Sequence, residues 1–171
     1  IIDISDPTNI VAKDSATDDD ADEETEFDEL NGAQDVETFT IGSSTYAIVA
    51  SKVDNGVQII DISDPENIVA KDSATDGAGG FDELSGAFGV DTFVIGSSTY
   101  AIVAAYSSDH VQIIDISDPT NIVAKDSATD DDADEETEFD ELNGAQDVET
   151  FMIYSSPYDI VSMKGDIVGP L

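Results

Sequence analysis

The sequence contains no cysteine, no tryptophan and no arginine, and its five lysines and one histidine stand against forty aspartates and glutamates. Without cysteine there is no disulfide framework and no thiolate metal site, in whichever compartment the protein works. A formal net charge of −35 repels phosphate backbones and anionic lipid headgroups, so no nucleic-acid partner is expected. No apolar run approaches the ~20 residues of a membrane span, and no membrane insertion is expected. The same charge strains any compact state by self-repulsion, which bound cations or high ionic strength would relieve; at about 1 M salt the Debye length is roughly 3 Å. A saline or calcium-rich setting suits such a chain. It opens Ile1-Ile2-Asp3 without Met, as a mature product or a piece of a longer protein would.

What is present is a repeat. The segment 1–39 recurs unchanged as 113–151, and a middle copy begins IIDISDPENIVAKDSATD at Ile59. The copies are offset by 58 and then 54 residues, giving one repeat domain over 1–171 with units of approximately 1–56, 57–110 and 111–171. The difference in period is one insertion, DDDADEETEFDEL at 18–30 against DGAGGFDEL at 76–84, and length variation confined to one point marks a surface loop.

Each unit divides into four short apolar runs separated by Gly, Ser, Asp and Pro. In the fullest copy these are 86–95, 99–104, 111–116 and 121–126, the strand lengths and turn residues of an antiparallel meander. No apolar stretch has a helical period over helical length, so no helix is expected. AIVA, QIIDI and NIVA are nearly continuous rather than alternating, which means that both sheet faces are covered. Blades stacked side by side in a β-propeller provide that cover more naturally than a sandwich. The fold class expected is therefore all-β, with propeller-like blades of four-stranded antiparallel sheets and about three blade-equivalents.

The motif Val57-Gln58-Ile59-Ile60-Asp61-Ile62-Ser63-Asp64-Pro65, with its copies at 111–119 and 1–7, resembles the core of LVIVD-repeat proteins. The preceding Tyr-Ala-Ile-Val-Ala at 46–50 and 100–104 resembles that family's second strand. The resemblance implies a β-propeller and an extracellular or cell-surface location, and no reaction. If the first strand of each unit lines the central channel, the blades are circularly offset. The chain then carries two whole blades between two partial ones. Propellers typically close with about 4–8 blades. Completion by a second copy (a homo-oligomer) or by the remainder of a longer propeller chain is expected.

The acidic insertion is the candidate metal site. Asp18, Asp20, Asp22, Glu24, Glu26 and Glu29 fall at positions 1, 3, 5, 7, 9 and 12 of a twelve-residue window, the ligand offsets of an EF-hand loop. Asp130, Asp132, Asp134, Glu136, Glu138 and Glu141 repeat them. Glu23 and Glu135 stand where that loop requires Gly, and Thr25 and Thr137 where it requires an apolar residue. The expectation is calcium held by a carboxylate-rich loop that is not a true EF-hand, against a bland alternative in which the loop is merely solvated.

Other residues carry less. Asp3, Asp61 and Asp115 sit in apolar strands and are expected to cap the Ser-Asp-Pro turn through its backbone N–H groups. His110 replaces Gly56 in what looks like a surface turn. Tyr46, Tyr100, Tyr106 and Tyr158 are expected to pack between blades, with carbohydrate stacking the alternative for Tyr106. Near-identical repeats of low chemical diversity point to a non-catalytic extracellular binding or scaffold module, stabilised by divalent cations, with a carbohydrate or protein ligand. The alternatives are a self-assembling structural protein joined through open blade edges, and a propeller hydrolase of glycosidase or calcium-dependent lactonase type. A glycosidase needs only two carboxylates.

Overall fold

The turn residues divide the chain into twelve strands, and no helix forms among the residues that this computed structural model describes, 1–18, 27–130, 142–153 and 156–163. The first complete sheet runs β3 (Ala33–Ile41), β4 (Ser44–Ser51), β5 (Gly56–Asp61) and β6 (Val69–Thr75). The second runs β7 (Ala87–Ile95), β8 (Ser98–Ala105), β9 (His110–Asp115) and β10 (Val123–Thr129). Before them lies a two-stranded sheet, β1 (Ile2–Asp3) with β2 (Val11–Ala12), and after them another, β11 (Ala145–Ile153) with β12 (Ser156–Met163). Aligned on the repeat, β1–β2 are the third and fourth strands of one blade and β11–β12 the first and second of another. The circular offset expected from the sequence is therefore what the chain adopts.

All strand pairs are antiparallel and follow sequence order within each sheet. The first two strands of each complete blade join through two-residue turns at Gly42-Ser43 and Gly96-Ser97, whose glycines take φ of +64° and +65°. That left-handed glycine suits the twist of a tight hairpin. The inner strand carries the same register shift in every unit, between Ala33 and Asp35, Ala87 and Gly89, and Ala145 and Asp147. The inner strands β3, β7 and β11 lie side by side, so the sheets stack as blades do.

In the complete blades the AIVA and QIID runs are largely covered on both faces, whereas Val123 of the NIVA run is 43% exposed. The last five residues of both β4 and β8 are buried. Phe39, Ile48 and Ile59 of the first blade share one core with Val90, Val103, Ile114, Ile116 and Ile122 of the second. A smaller core joins Ile102, Ala104 and Val111 to Leu142, Ala145 and Val148. Burying an Ile or Val side chain contributes about 1.5–3 kcal/mol, so these cores hold adjacent blades together. The stack is not closed. Val90 and Val148 are each 3% exposed, whereas the equivalent Val36, where no complete blade precedes, is 56% exposed.

The tyrosines pack within their own blade as well as towards its neighbour: Tyr46 lies against the core shared by the two complete blades, and Tyr158 lines a pocket with Phe93 and Ile102 of the second. Tyr46, Tyr100 and Tyr158 stack on Phe39, Phe93 and Phe151 of their own blade, at centroid distances of 5.5, 5.5 and 5.9 Å. The cause is register: each Tyr lies directly opposite its Phe across the first hairpin.

Candidate functional site

Most of the recurring carboxylates whose contacts are defined serve the backbone. Asp3, Asp61 and Asp115 accept from the amides of Ser5, Ser63 and Ser117 at 2.9, 3.0 and 3.1 Å, which is the turn-capping role expected of them. Hydrogen bonds from Ser63 and Ser117 hold the Asp61 and Asp115 carboxyls below the usual range, with Lys71 and Lys125 helping from the neighbouring strand at 3.4 and 3.1 Å.

A second set ties each blade to the next. Asp14 accepts from the amide of Ile68 at 2.9 Å, and its repeat equivalent Asp72 accepts from Ile122 at 2.7 Å. On the inner strands, Asp35 accepts from Val90 at 3.0 Å and Asp91 from Thr150 at 2.6 Å. At the turn between second and third strands, Asn55 accepts from Gly86 at 2.8 Å and Asp109 from Gly144 at 2.6 Å. Asn55 and Asp109 have φ of +59° and +62°, a conformation that Asn and Asp tolerate best among residues with a Cβ. The aspartate bonds of this set are charge-assisted, whereas Asn55 accepts as a neutral amide.

The glutamate of each Phe-Asp-Glu-Leu segment is used differently. In the first blade the Glu29 side chain runs inward and the residue is only 7% exposed. Its Oε1 accepts from the Thr75 hydroxyl, while Oε2 is buried with no hydrogen-bond partner among the described residues. Room for it exists because position 56 is glycine: a Cβ there would overlap both Glu29 Oε2 and the Ala74 carbonyl oxygen. Burial pushes the Glu29 carboxyl up to about 7 against the pull of Thr75, and the charges of Asp54, Asp28 and Asp18 push the same way. In the second blade position 56 becomes His110. There Glu83 stays nearer the surface, its Oε2 3.1 Å from His110 Nδ1.

Of the predicted metal ligands, Asp18 and Glu29 are brought to one place. Asp18 Oδ1 accepts from the Leu30 amide at 3.3 Å, and the Ser51 hydroxyl donates to the Glu29 carbonyl oxygen at 2.6 Å. Asp130 holds the place equivalent to Asp18, with a buried Oδ1 that has no partner among the described residues. Asp20, Asp22, Glu24, Glu26, Asp132, Asp134, Glu136, Glu138 and Glu141 lie outside the described residues. Among those that are described, no group of three or more acidic or His side chains is placed to hold a metal ion.

Two features escaped the sequence reading. Gln58 and Gln112 are buried inside the apolar third strand, where Nε2 donates to the carbonyl oxygens of Asp72 and Asp126 at 3.0 and 3.1 Å. Each mends the ladder where the outer strand slips register. The only signal was a polar residue recurring at one place in an apolar run. Tyr106 is not an open stacking platform either, since it tilts against Phe88 at 6.3 Å with the Lys52 ammonium 4.3 Å from its ring.

A comparison with curated proteins found no match. The family model for the LVIVD repeat matches residues 1–18, 43–76 and 96–130, just over half of the chain. Those stretches hold β1–β2, β4–β6 and β8–β10, the strands that carry the Asp-capped turns and the outer ties, while the inner strands and the Glu29 and Glu83 segments fall outside them. On that match and that blade architecture, the chain belongs to the LVIVD repeat family.

Proposed function

We propose that this propeller-like module is a non-catalytic binding or scaffold element of the cell exterior, and that calcium at its acidic loops stabilises it. The observation that supports this reading is how the carboxylates are spent. Those that recur in every blade accept backbone amides at turns and between blades, which is architecture. The surplus gathers ahead of the inner strands, around Asp18 and Glu29, where no lysine or arginine balances it in sequence. Carboxylates crowded this way repel one another. A divalent cation relieves the repulsion only in the folded loop that collects them. A net charge of −35 also suits a saline, calcium-rich exterior better than contact with nucleic acid or anionic lipid.

The test is thermal unfolding at constant ionic strength with millimolar calcium or with sodium alone. Calcium sites in extracellular modules have dissociation constants of about 10⁻⁴–10⁻³ M. At ten to a hundred times that value each site adds roughly 1.4–2.7 kcal/mol, so the melting temperature is expected to climb with calcium. The middle unit, with Asp76-Gly77-Ala78-Gly79-Gly80 in place of the insertion, predicts two sites per chain rather than three. Changing Asp20, Asp22, Asp132 and Asp134 to Asn should remove the calcium-specific part. Equal stabilisation by sodium would mean that screening alone explains the acidity.

A further inference from the structure

The inner strand of each sheet is paired on one side only, so the amides on its other side need acceptors from outside the ladder. Aspartates supply them in two ways. Asp35, Asp91 and Asp147 each cap the next amide of their own strand with Oδ1, taking Val36 at 2.8 Å, Thr92 at 2.7 Å and Val148 at 3.0 Å. With Oδ2, Asp35 and Asp91 also reach the next blade, taking Val90 at 3.0 Å and Thr150 at 2.6 Å. Each amide taken across a junction follows a residue other than aspartate. Gly89, before Val90, has no side chain, and Glu149, before Thr150, is a methylene longer than the aspartates that cap their own neighbours.

The inner strands thus read in two ways at the same place in the repeat, Asp35-Val36-Glu37 and Asp147-Val148-Glu149 against Gly89-Val90-Asp91. Further differences of the middle blade fall on the same junctions. A Cβ at Gly89 would stand 2.5 Å from the Gln146 carbonyl oxygen and 2.8 Å from Asp147 Cα, so the missing side chain lets the next inner strand approach. The rings of Phe88 and Tyr106 hold the Lys52 ammonium of the preceding blade, 5.3 and 4.3 Å from their centroids. At the places of those two rings the first blade has Gln34 and Lys52 itself. We infer that neighbouring blades recognise each other by this inner-strand code, an Asp-Val-Glu blade seating against a Gly-Val-Asp blade and each kind disfavouring its own. Two Asp-Val-Glu blades side by side would aim the bridging carboxylate at an amide already capped and at a second carboxylate, with a lysine over glutamine instead of two rings. Two Gly-Val-Asp blades would lack the first bridge, and the second would find its threonine amide already taken. Near-identical repeats are kept in order by these positions. This goes beyond the module reading and does not depend on calcium.

The experiment is residue-by-residue amide hydrogen exchange on the 171-residue chain, with variants that conserve charge. Asp35→Glu should speed exchange at Val90 about tenfold or more, and Asp91→Glu should do the same at Thr150, since each loses a bond to a charged acceptor. Each should leave the other junction's amide protected. A purely structural role for the aspartates would give no more than that. The code requires one thing further. Glu149→Asp gives Thr150 a cap of its own, so in D91E/E149D the Thr150 amide should stay as protected as in the parent. Gly89→Ala should unfold in less urea than the parent, because its Cβ meets backbone atoms that no rotamer change can move. Thr150 exchanging as fast in D91E/E149D as in Asp91→Glu alone overturns the proposal. So does unchanged protection of Val90 in Asp35→Glu or of Thr150 in Asp91→Glu, or a Gly89→Ala variant as stable as the parent.

Discussion

The first complete blade draws the carboxyl of Glu29 inside, whereas the second leaves the equivalent Glu83 near the surface beside an imidazole. The two blades share strand order, inner-strand register shifts and the outer ties of Asp14 and Asp72, but differ at position 56 and in the loop ahead of the inner strand, which is four residues longer before Glu29. With glycine at position 56 the loop ahead of the inner strand can lay its glutamate against Thr75; with His110 at the same position that space is occupied. Glycine at the start of the third strand thus accompanies a buried glutamate and histidine a glutamate nearer the surface, behind loops of different length.

The comparison breaks most sharply if the second blade's residue is placed in the first. Gly56→His meets the Ala74 carbonyl as well as Glu29, and only the glutamate can swing away. Overpacking of this kind costs about 1–3 kcal/mol. Urea unfolding should show that loss. A variant as stable as the parent would mean that Glu29 moves out at no cost and that glycine is not what admits it. A smaller effect tests what the blades share. Lys71→Met and Lys125→Met remove equivalent ion pairs to Asp61 and Asp115. Exposed pairs contribute about 0–1 kcal/mol, so both changes should be slight and alike. A marked loss in one blade alone would show that the shared architecture is less equal than its distances.

Much of the fold was legible because the information is local and stated three times. Four apolar runs, their Gly-Ser-Ser and Ser-Asp-Pro turns, the offset of the blades and the capping by Asp3, Asp61 and Asp115 all follow from spacing within one unit. The inter-blade ties were not legible. Asp14 and Asp72 look like surface acids in Val-Ala-Lys-Asp, and their partners Ile68 and Ile122 are about fifty residues further along. The placement of Glu29 was not legible either. Reading Asp18 to Glu29 as evenly spaced ligands treats them as one linear register, but Glu29 turns away to a niche formed by Gly56 and Thr75 of later strands. His110 was taken for a turn residue because its glycine counterpart suggested one. It begins β9 and faces Glu83.

The claim that the first blade buries the Glu29 carboxyl is tested most directly by stability against pH, for the parent chain and Glu29→Gln, with calcium chelated. The unfolded Glu29 carboxyl loses its proton near 4.5 and the folded one near 7. As pH rises through that window the unfolded state is favoured, so the parent should lose stability relative to Glu29→Gln and then level off above about 7. The shift corresponds to up to about 3 kcal/mol at roughly 1.4 kcal/mol per pH unit. Asp61 and Asp115, held below their ordinary range, act in the opposite sense and only near pH 4 and lower, in both proteins equally. A difference between the two curves that opens from pH 4.5 to 7 is the predicted result, and curves that stay parallel across that window would contradict it.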